Sequence, residues 1–359
     1  MNNTTPLTFT SHESDTSALN RRESLLHYLQ HPPTAPAPLD TTSSADRYEH
    51  DQQRMDYLSG GIVLRTATVA QGKLLLTRAF QENRSRNSGH SGVMLSGDSA
   101  LGKTTTAKRL MRWVVEEYTR QVPHWEADEH VPVMYVEVPS GSNAKGLLRE
   151  FCDFYALSVL TRDTTADLRT KVVGAIRRAR TQLIVVDELH NLSGRAAGLG
   201  EAVDLLKGLH NDVSATFLYC GLDVTSSTLM HGSRGQQLMS RFSVVELEKY
   251  VWSNADHRKE WKTLIRGFEA ELQLRHHPVK TLDSLAEYLY ERTGGSIGSL
   301  SRLLTGAAID LLQNKAKVEL LDEALLDTYT LDLTAETFYR NARAKKAAKG
   351  KSALEKVMA

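Results

Sequence analysis

Gly97, Gly102, Lys103 and Thr104 stand in the spacing G-x-x-x-x-G-K-T, within the run Gly97-Asp98-Ser99-Ala100-Leu101-Gly102-Lys103-Thr104. Glycines at these places let backbone amides converge on an anion without side-chain obstruction. Lys103 offers a point charge to β- and γ-phosphates and Thr104 a hydroxyl to Mg2+. Thr105 continues into a helix-compatible run whose N-terminal dipole faces the same anion. A second stretch, 183-LIVVDELHNL-192, closes an apolar run with two acids. Asp187, at the tip, can reach Mg2+ through water, and Glu188, pointing the other way, can polarise a water for attack on the γ-phosphate. Adjacent acids at the end of a buried strand are costly unless they face a cation. The expected chemistry is therefore hydrolysis of a nucleoside triphosphate, beyond mere binding. Asn314-Lys315 is followed by Ala316-Lys317 and not by the x-Asp that reads guanine, so ATP is the expected nucleotide. A small-molecule kinase shares the Lys-Thr cradle but rarely needs the acid pair together with a separate helical domain.

These residues need elements to hold them. Val93 to Leu95 is the strand entering the cradle, and Thr104 to Tyr118 a helix with Ala107, Leu110, Met111 and Val114 on one face. Pro132 to Val138, Leu183 to Val186, Ala215 to Cys220 and Val244 to Leu247 are further strand candidates. Thr68 to Phe80, Ala144 to Leu157, Thr165 to Arg180 and Gly200 to Leu209 are helical by periodicity. Strands alternating with helices imply an α/β fold with a parallel sheet covered by helices on both faces. The alternation stops near Tyr250. Asn254 to Leu274, Thr281 to Thr293 and Ile297 to Gln313 then read as helices, with Leu320 to Tyr329 a weaker fourth. Thr281 is the expected N-cap of its helix and Gly294-Gly295 its stop.

The expected division is 1–50, a mostly disordered extension rich in Ser, Thr, Asn and Pro; 51–250, the α/β nucleotide-binding domain; 251–335, a small all-helical lid; and 336–359, a basic tail. Within the extension, Ser17 to Gln30 sets Leu25, Leu26 and Leu29 at helical spacing, which suits either a transient helix or one that docks on a partner. A formal net charge of +1 over 359 residues excludes strong whole-molecule attraction to nucleic acid, so such contact needs a local patch. The two cysteines, Cys152 and Cys220, lie in apolar runs and read as buried thiols in a reducing compartment. No run approaches the ~18 apolar residues of a membrane span. The N-terminus shows no signal peptide, which gives a cytoplasmic protein with no membrane partner.

The order of parts resembles the AAA+ ATPases and, within them, the TniB/TnsC group of ATP-dependent regulators of DNA transposition. The residues that carry the likeness are Gly97 to Thr104, Val185 to Leu192, Ser240-Arg241-Phe242 and Thr293-Gly294-Gly295-Ser296-Ile297-Gly298, in a match running from Met55 to Leu312. The resemblance implies an AAA+ P-loop NTPase with a small helical lid, subunits side by side in a ring or helical filament, and ATP at each junction. Arg241 best matches the arginine that one subunit lends to the next, with Arg234 as the alternative. Gly298 occupies the place of the lid arginine, and Arg302 lies one turn later. The polar sensor after the fourth strand has no clear counterpart, since 217-FLYCGLDVTSS-227 offers Cys220, Gly221 and Asp223. Both departures imply slow ATP hydrolysis, stimulated by DNA or a partner.

The same resemblance implies sequence-neutral binding of duplex DNA through the loop after the second strand, where Ser140, Ser142, Asn143 and Lys145 can donate to phosphates. It implies as partners a transposase and a TniQ-type target-selection protein. A helicase loader or replication initiator, and a signalling or defence NTPase, are the rival readings. Several residues have plainer expectations. His124-Trp125 sits in a polar insert and is either an interaction tip or packing, and His190 either reports nucleotide state or simply packs. His276-His277 lacks metal-ligand spacing. Arg177, Arg178 and Arg180 read as a solvated helix face, and the basic tail as solvated, tethered or phosphate-bound.

Overall fold

The apolar runs pair into one parallel sheet. In the computed structural model β1 (Gly92–Gly97), β2 (Val133–Glu137), β3 (Leu183–Asp187), β4 (Thr216–Gly221) and β5 (Phe242–Leu247) lie in the order β2-β3-β4-β1-β5. All neighbouring pairs are parallel, with Glu137 opposite Asp187 and Gly97 opposite Leu247. Every residue of β1, β3 and β4 is buried, which requires cover on both faces of the sheet. The structure describes residues 19–37, 44–60, 62–192, 196–222 and 232–358, with backbone alone at 44–45, 196–199, 232–234 and 349–358.

The helices in chain order are α1 (Arg22–Gln30), α2 (Ser44–Gly60), α3 (Ala67–Asn83), α4 (Lys103–Gln121), α5 (Ala144–Phe154), α6 (Thr165–Arg178), α7 (Ala196–Asp212), α8 (Gly232–Met239), α9 (Ala255–Glu271), α10 (Thr281–Ser284), α11 (Ala286–Thr293), α12 (Ile297–Gln313), α13 (Glu323–Asp327) and α14 (Leu333–Met358). Local chemistry sets many of their ends. Thr66 caps α3, and Thr164 and Asp167 form a reciprocal capping box on α6. Gly294 ends α11 in the left-handed region, as expected. Among the described residues no helix is long and apolar enough to cross a membrane.

The chain divides into two compact units. One holds the sheet, α1 and α3 to α8, around a core that includes Met94, Leu110, Phe151, Val185 and Phe217. Both cysteines belong to it, buried and free, and burial pushes the Cys152 thiol up to about 11, so neither is a ready nucleophile. The other unit holds 33–64 and everything from Glu248, with Trp261 fully buried and its indole N–H donating to the Ala286 carbonyl at 2.9 Å. Here Arg54 of α2 and Glu319, each 2% exposed, form a two-pronged ion pair, and the guanidinium also donates to the Gln273 carbonyl at 2.7 Å.

Five expectations meet a different arrangement. The extension, expected to be mostly disordered, contains a folded helix. Leu25 and Leu29 of α1 are 0% and 3% exposed in the core of the sheet unit, against α4 and β2, so this helix docks within its own chain. Residues 33–64 cluster with the helical unit, which moves the first boundary from residue 50 to 64/65, while the second falls at 247/248, beside the expected 250. The helix expected over 281–293 is two, and Lys280, at φ 71°, stands at the cap position assigned to Thr281. A cut at 335/336 falls inside α14, whose Ala335 is 2% exposed in the helical unit's core. Trp125, a candidate tip, is 1% exposed and donates to Thr119 Oγ1 at 2.9 Å.

Leu25→Ala tests the docking of α1. Removing a fully buried leucine should lower the stability of the sheet unit by about 2–5 kcal/mol, read as an earlier urea midpoint. An unchanged midpoint would mean that α1 is not part of the folded unit.

Candidate nucleotide site

The cradle joins β1 to α4 at the C-terminal edge of the sheet. Gly97 has φ 151° and a Cβ there would collide with the Leu247 carbonyl, so the neighbouring strand excludes any side chain. Gly102, at φ 85°, is the N-cap of α4, and no side chain caps the helix's first amides. The start of α4 thus presents backbone N–H groups and the positive end of its dipole, the arrangement that holds phosphate. Lys103 is 7% exposed, and its ammonium donates to the carbonyls of Gly97 (2.8 Å) and Asp98 (2.7 Å). Asp98, Ser99 and Ala100 lie exposed along the loop, whereas Leu101 is buried and anchors it to the core. Thr105 follows, exposed on the first turn.

Asp187 is the centre of the arrangement. It is 1% exposed, and its Oδ2 accepts from Thr104 Oγ1 (2.8 Å) and from the Tyr135 hydroxyl (3.0 Å), while Oδ1 accepts from the Glu188 amide (2.8 Å). Three donors satisfy a buried carboxylate whose charge would otherwise be very unfavourable there. The structure thus brings together Thr104, after β1, and Asp187, at the end of β3, across the intervening β4. Their hydroxyl and carboxylate oxygens are hard donors, the set that suits Mg2+. Among the described residues no group of three or more His, Cys, Asp or Glu could hold a metal unaided, so the cation fits here only with further oxygen ligands.

Glu188 turns away from its neighbour. At φ 55° and ψ 38° it sits in the left-handed region, and its side chain is 34% exposed beside the cradle. A short 3-10 turn, Leu189–Asn191, follows, and His190 Nδ1 stands 3.2 Å from Glu188 Oε2. The same Nδ1 accepts from the amide of Leu222, just beyond β4, at 3.3 Å. Sequence reasoning missed two residues at this edge. Tyr135 looks like one more apolar strand residue until β2 is known to lie beside β3. Glu137, in register with Asp187, is a third acid whose pKa is raised by burial and then by Asp187 and Glu188. Matching strand ends across the sheet is the signal that would have found both.

Arg241 lies elsewhere. Its carbonyl accepts from the Gly92 amide, at the N-terminal edge of β1, and its guanidinium is 3.4 Å from Asn211 Oδ1. Six residues of β1, rising about 3.3 Å each, separate this edge from Gly97. Arg241 therefore cannot reach the cradle of its own chain. Beneath it His210 is fully buried, stacked on Phe217 with its Nε2 2.9 Å from the Tyr219 hydroxyl. The side chain of Arg234, and Asp223, lie outside the described residues. Arg302 is exposed on α12 of the helical unit and is not brought to the cradle by the sheet unit's own fold.

The loop after β2 departs from expectation. Ser142 is buried, Asn143 caps α5 by accepting from the Gly146 amide at 2.9 Å, and Lys145 donates to the Asp163 carbonyl at 2.6 Å. These groups have internal roles in place of the free phosphate donors expected. The loop is also laced to the turn after β3: Gly141 donates to the Asn191 carbonyl at 3.2 Å, and Asn191 Nδ2 to the Val138 carbonyl at 2.9 Å.

Comparison with known proteins follows the same lines. A family model described as "Bacterial TniB protein" matches residues 65–252. Among solved structures the chain is similar to ORC2 of Aeropyrum pernix in ADPNP–ADP complexes, at TM-score 0.55 and 16% identity over 77% of this chain and 70% of that one. It is similar to Aeropyrum pernix ORC1 in complex with DNA, at 0.54 and 14% over 76% and 66%. Cdc6p of Pyrobaculum aerophilum gives 0.50 and 14% over 72% and 66%, so the chain spans just under two thirds of these last two proteins. At identities this low the likeness shows the fold alone. Among curated proteins the comparison finds no match.

Burial, with the charges of Arg241 and His90, lowers the pKa of His210 to about 3. The unfolded chain, with a histidine near ~6.5, therefore takes up the proton first as the pH falls. The contribution is whole above that value and drains toward pH 3. Urea titrations should show wild type losing about 2 kcal/mol more than His210→Gln between pH 7 and pH 5. Equal losses would mean that His210 is not held neutral.

Proposed function

The chain belongs to the TniB family of AAA+ ATPases, and from that premise we propose that it is an ATP-dependent regulator of DNA transposition that assembles on duplex DNA and links it to a transposase. The observation that carries the assembly is the separation of Arg241 from its own cradle by the length of β1. An arginine at the N-terminal edge of the sheet serves a nucleotide only when a second subunit presents its own C-terminal edge. ATP between subunits then stabilises the assembly by its differential affinity for the joined state, and cleavage removes that difference.

Within one subunit the roles divide by position. The amides from Gly97 to Thr105 and the Lys103 ammonium hold the phosphates. Thr104 and, through water, Asp187 hold Mg2+, which when bound neutralises charge on the phosphate oxygens. Glu188 orients and polarises the attacking water. Arg241 of a neighbour completes the charge stabilisation, with Arg234 as the alternative, and Arg302 is kept as a nucleotide-binding candidate. Duplex DNA is held without a base code, through backbone and side-chain donors at the loop of Ser142, Asn143 and Lys145 once their internal bonds are exchanged. A TniQ-type target-selection protein is the expected further partner, and the reading is of a cytoplasmic, slow, DNA-stimulated enzyme.

The test is turnover with and without duplex DNA, together with electron micrographs of the mixture. Wild type should show DNA-stimulated hydrolysis and rings or filaments, and Lys103→Ala should show neither. Assembly on DNA that is indifferent to nucleotide would overturn the proposal, and stimulation by a helicase in place of DNA would move the chain to the loader class. Separately, Arg241→Ala should lose about 10³-fold or more in turnover, the range of an arginine supplied in trans. Mixing it with Lys103→Ala subunits should restore part of the activity, because intact cradles then meet intact arginines. A mixture as inactive as its components would remove Arg241 from the junction.

A further inference from the structure

The helical unit holds a cleft of about 310 Å³, lined from the end of α11, the turn after α13 and the first turns of α14. Small-ligand sites usually begin at about 300 Å³. Three arginines line the cleft, Arg292, Arg340 and Arg343, against two acids, Asp327 and Glu336. Both acids are already engaged. Asp327 Oδ1 accepts from the hydroxyls of Tyr288 (2.9 Å) and Tyr339 (2.8 Å). Glu336 Oε1 accepts from the Leu331 amide (2.8 Å) and from Arg292 Nη1 (3.1 Å). The arginines keep spare donors. Arg292 is 2% exposed and its Nη2 donates to the Tyr329 carbonyl, yet its Nε–H has no hydrogen-bond partner, with Asp327 Oδ1 3.9 Å away. Arg343 stands 4.0 Å from Asp327 Oδ2 and is 66% exposed. Among the described residues the Arg340 side chain and the Thr330 hydroxyl, both exposed at the cleft, have no partner.

We propose that this cleft binds a phosphoryl group, gripped by the forks of Arg340 and Arg343, with Thr330 donating and buried Arg292 adding charge. Three guanidiniums against two carboxylates leave one positive charge for an anion to meet. The spare donors exceed the about four lone-pair sites of a carboxylate, whereas a phosphoryl group offers three strongly accepting oxygens. Arg340 and Arg343 are three residues apart on α14 and so share a face. The Tyr339 ring orders two of the charges, with Cζ of Arg292 and Arg343 4.6 and 5.4 Å from its centroid. Such a group is carried by a small phosphorylated compound or by a DNA backbone. Every residue named belongs to the helical unit, so the site is independent of the nucleotide cradle.

The cradle also suits phosphate, so the readout must be local. Full-length protein is treated with phenylglyoxal, which reacts with accessible guanidiniums. Peptide mass spectrometry then follows Arg340, Arg343 and, as a control in the same unit, Arg266 of α9, 57% exposed. With inorganic phosphate at about four times its midpoint, Arg340 and Arg343 should react about five-fold more slowly than in chloride of equal ionic strength. Arg266 should not change. Arg340→Gln removes an exposed side chain without a partner, and should weaken the protection of Arg343 by phosphate about ten-fold. Equal rates in phosphate and chloride would overturn the proposal. So would protection shared by Arg266, acetate protecting as well as phosphate, or an Arg340→Gln without effect. Duplex DNA separates the two sources. Protection of the same two arginines by DNA assigns the group to its backbone, and protection by phosphate alone assigns it to a small phosphorylated compound.

Discussion

The carboxylate of Asp187 is where the site is held together. A 1%-exposed anion is tolerable only when its lone pairs are occupied, and here three donors come from three places: α4 through Thr104, β2 through Tyr135, and the chain's own next amide. Each bond fixes something else. The first sets the opening turn of α4 against β3, and with it the direction of the amides at the cradle. The second ties the edge strand to the sheet's acidic end, with burial and Asp187 keeping the Tyr135 phenol protonated and therefore donating. The third holds Glu188 in the left-handed region, which for a residue with a side chain costs about 1–2 kcal/mol. That conformation is what turns the second acid outward. The buried acid determines the position of the exposed one.

A parallel sheet gathers all its C-terminal ends along one edge, and this chain has placed its chemistry by that rule. Gly97, Glu137, Asp187 and Gly221 end their strands there, while Arg241 immediately precedes β5 at the other edge. The polarity has an electrostatic consequence. Lys103 and the start of α4 make the first edge attractive to a triphosphate, whereas the opposite edge carries an arginine above a histidine that burial keeps uncharged. A neutral His210 avoids a second positive charge beneath Arg241. Both edges present positive charge, so on the proposed reading they become complementary only with a triphosphate between them, in head-to-tail association.

The nucleotide motifs and the alternation of strands and helices were legible because both are local. Spacing within eight residues defines the cradle, and periodicity defines each element. What escaped reading depends on which elements become neighbours. The Tyr135 hydroxyl and the Leu222 amide acquire their partners only once β3 is placed between β2 and β4. The donors of Asn143 and Lys145 looked free because composition counts side chains and not the amides and carbonyls that the local backbone offers them. The extension shows the same limit. The leucine spacing of α1 was read, but the surface on α4 and β2 that buries it exists only once the sheet unit has folded. The basic tail, with no apolar face to mark it, forms a helix that its composition left open.

These features bear on why such a site would work slowly. On the proposed reading, hydrolysis requires a neighbour's Arg241 and a water held by Glu188, and the two conditions are set by elements at opposite edges of the sheet. Either one missing leaves the triphosphate intact. A nucleotide that survives between subunits keeps them joined, so the lifetime of the assembly follows the rarer of two events and not the rate of a single chemical step.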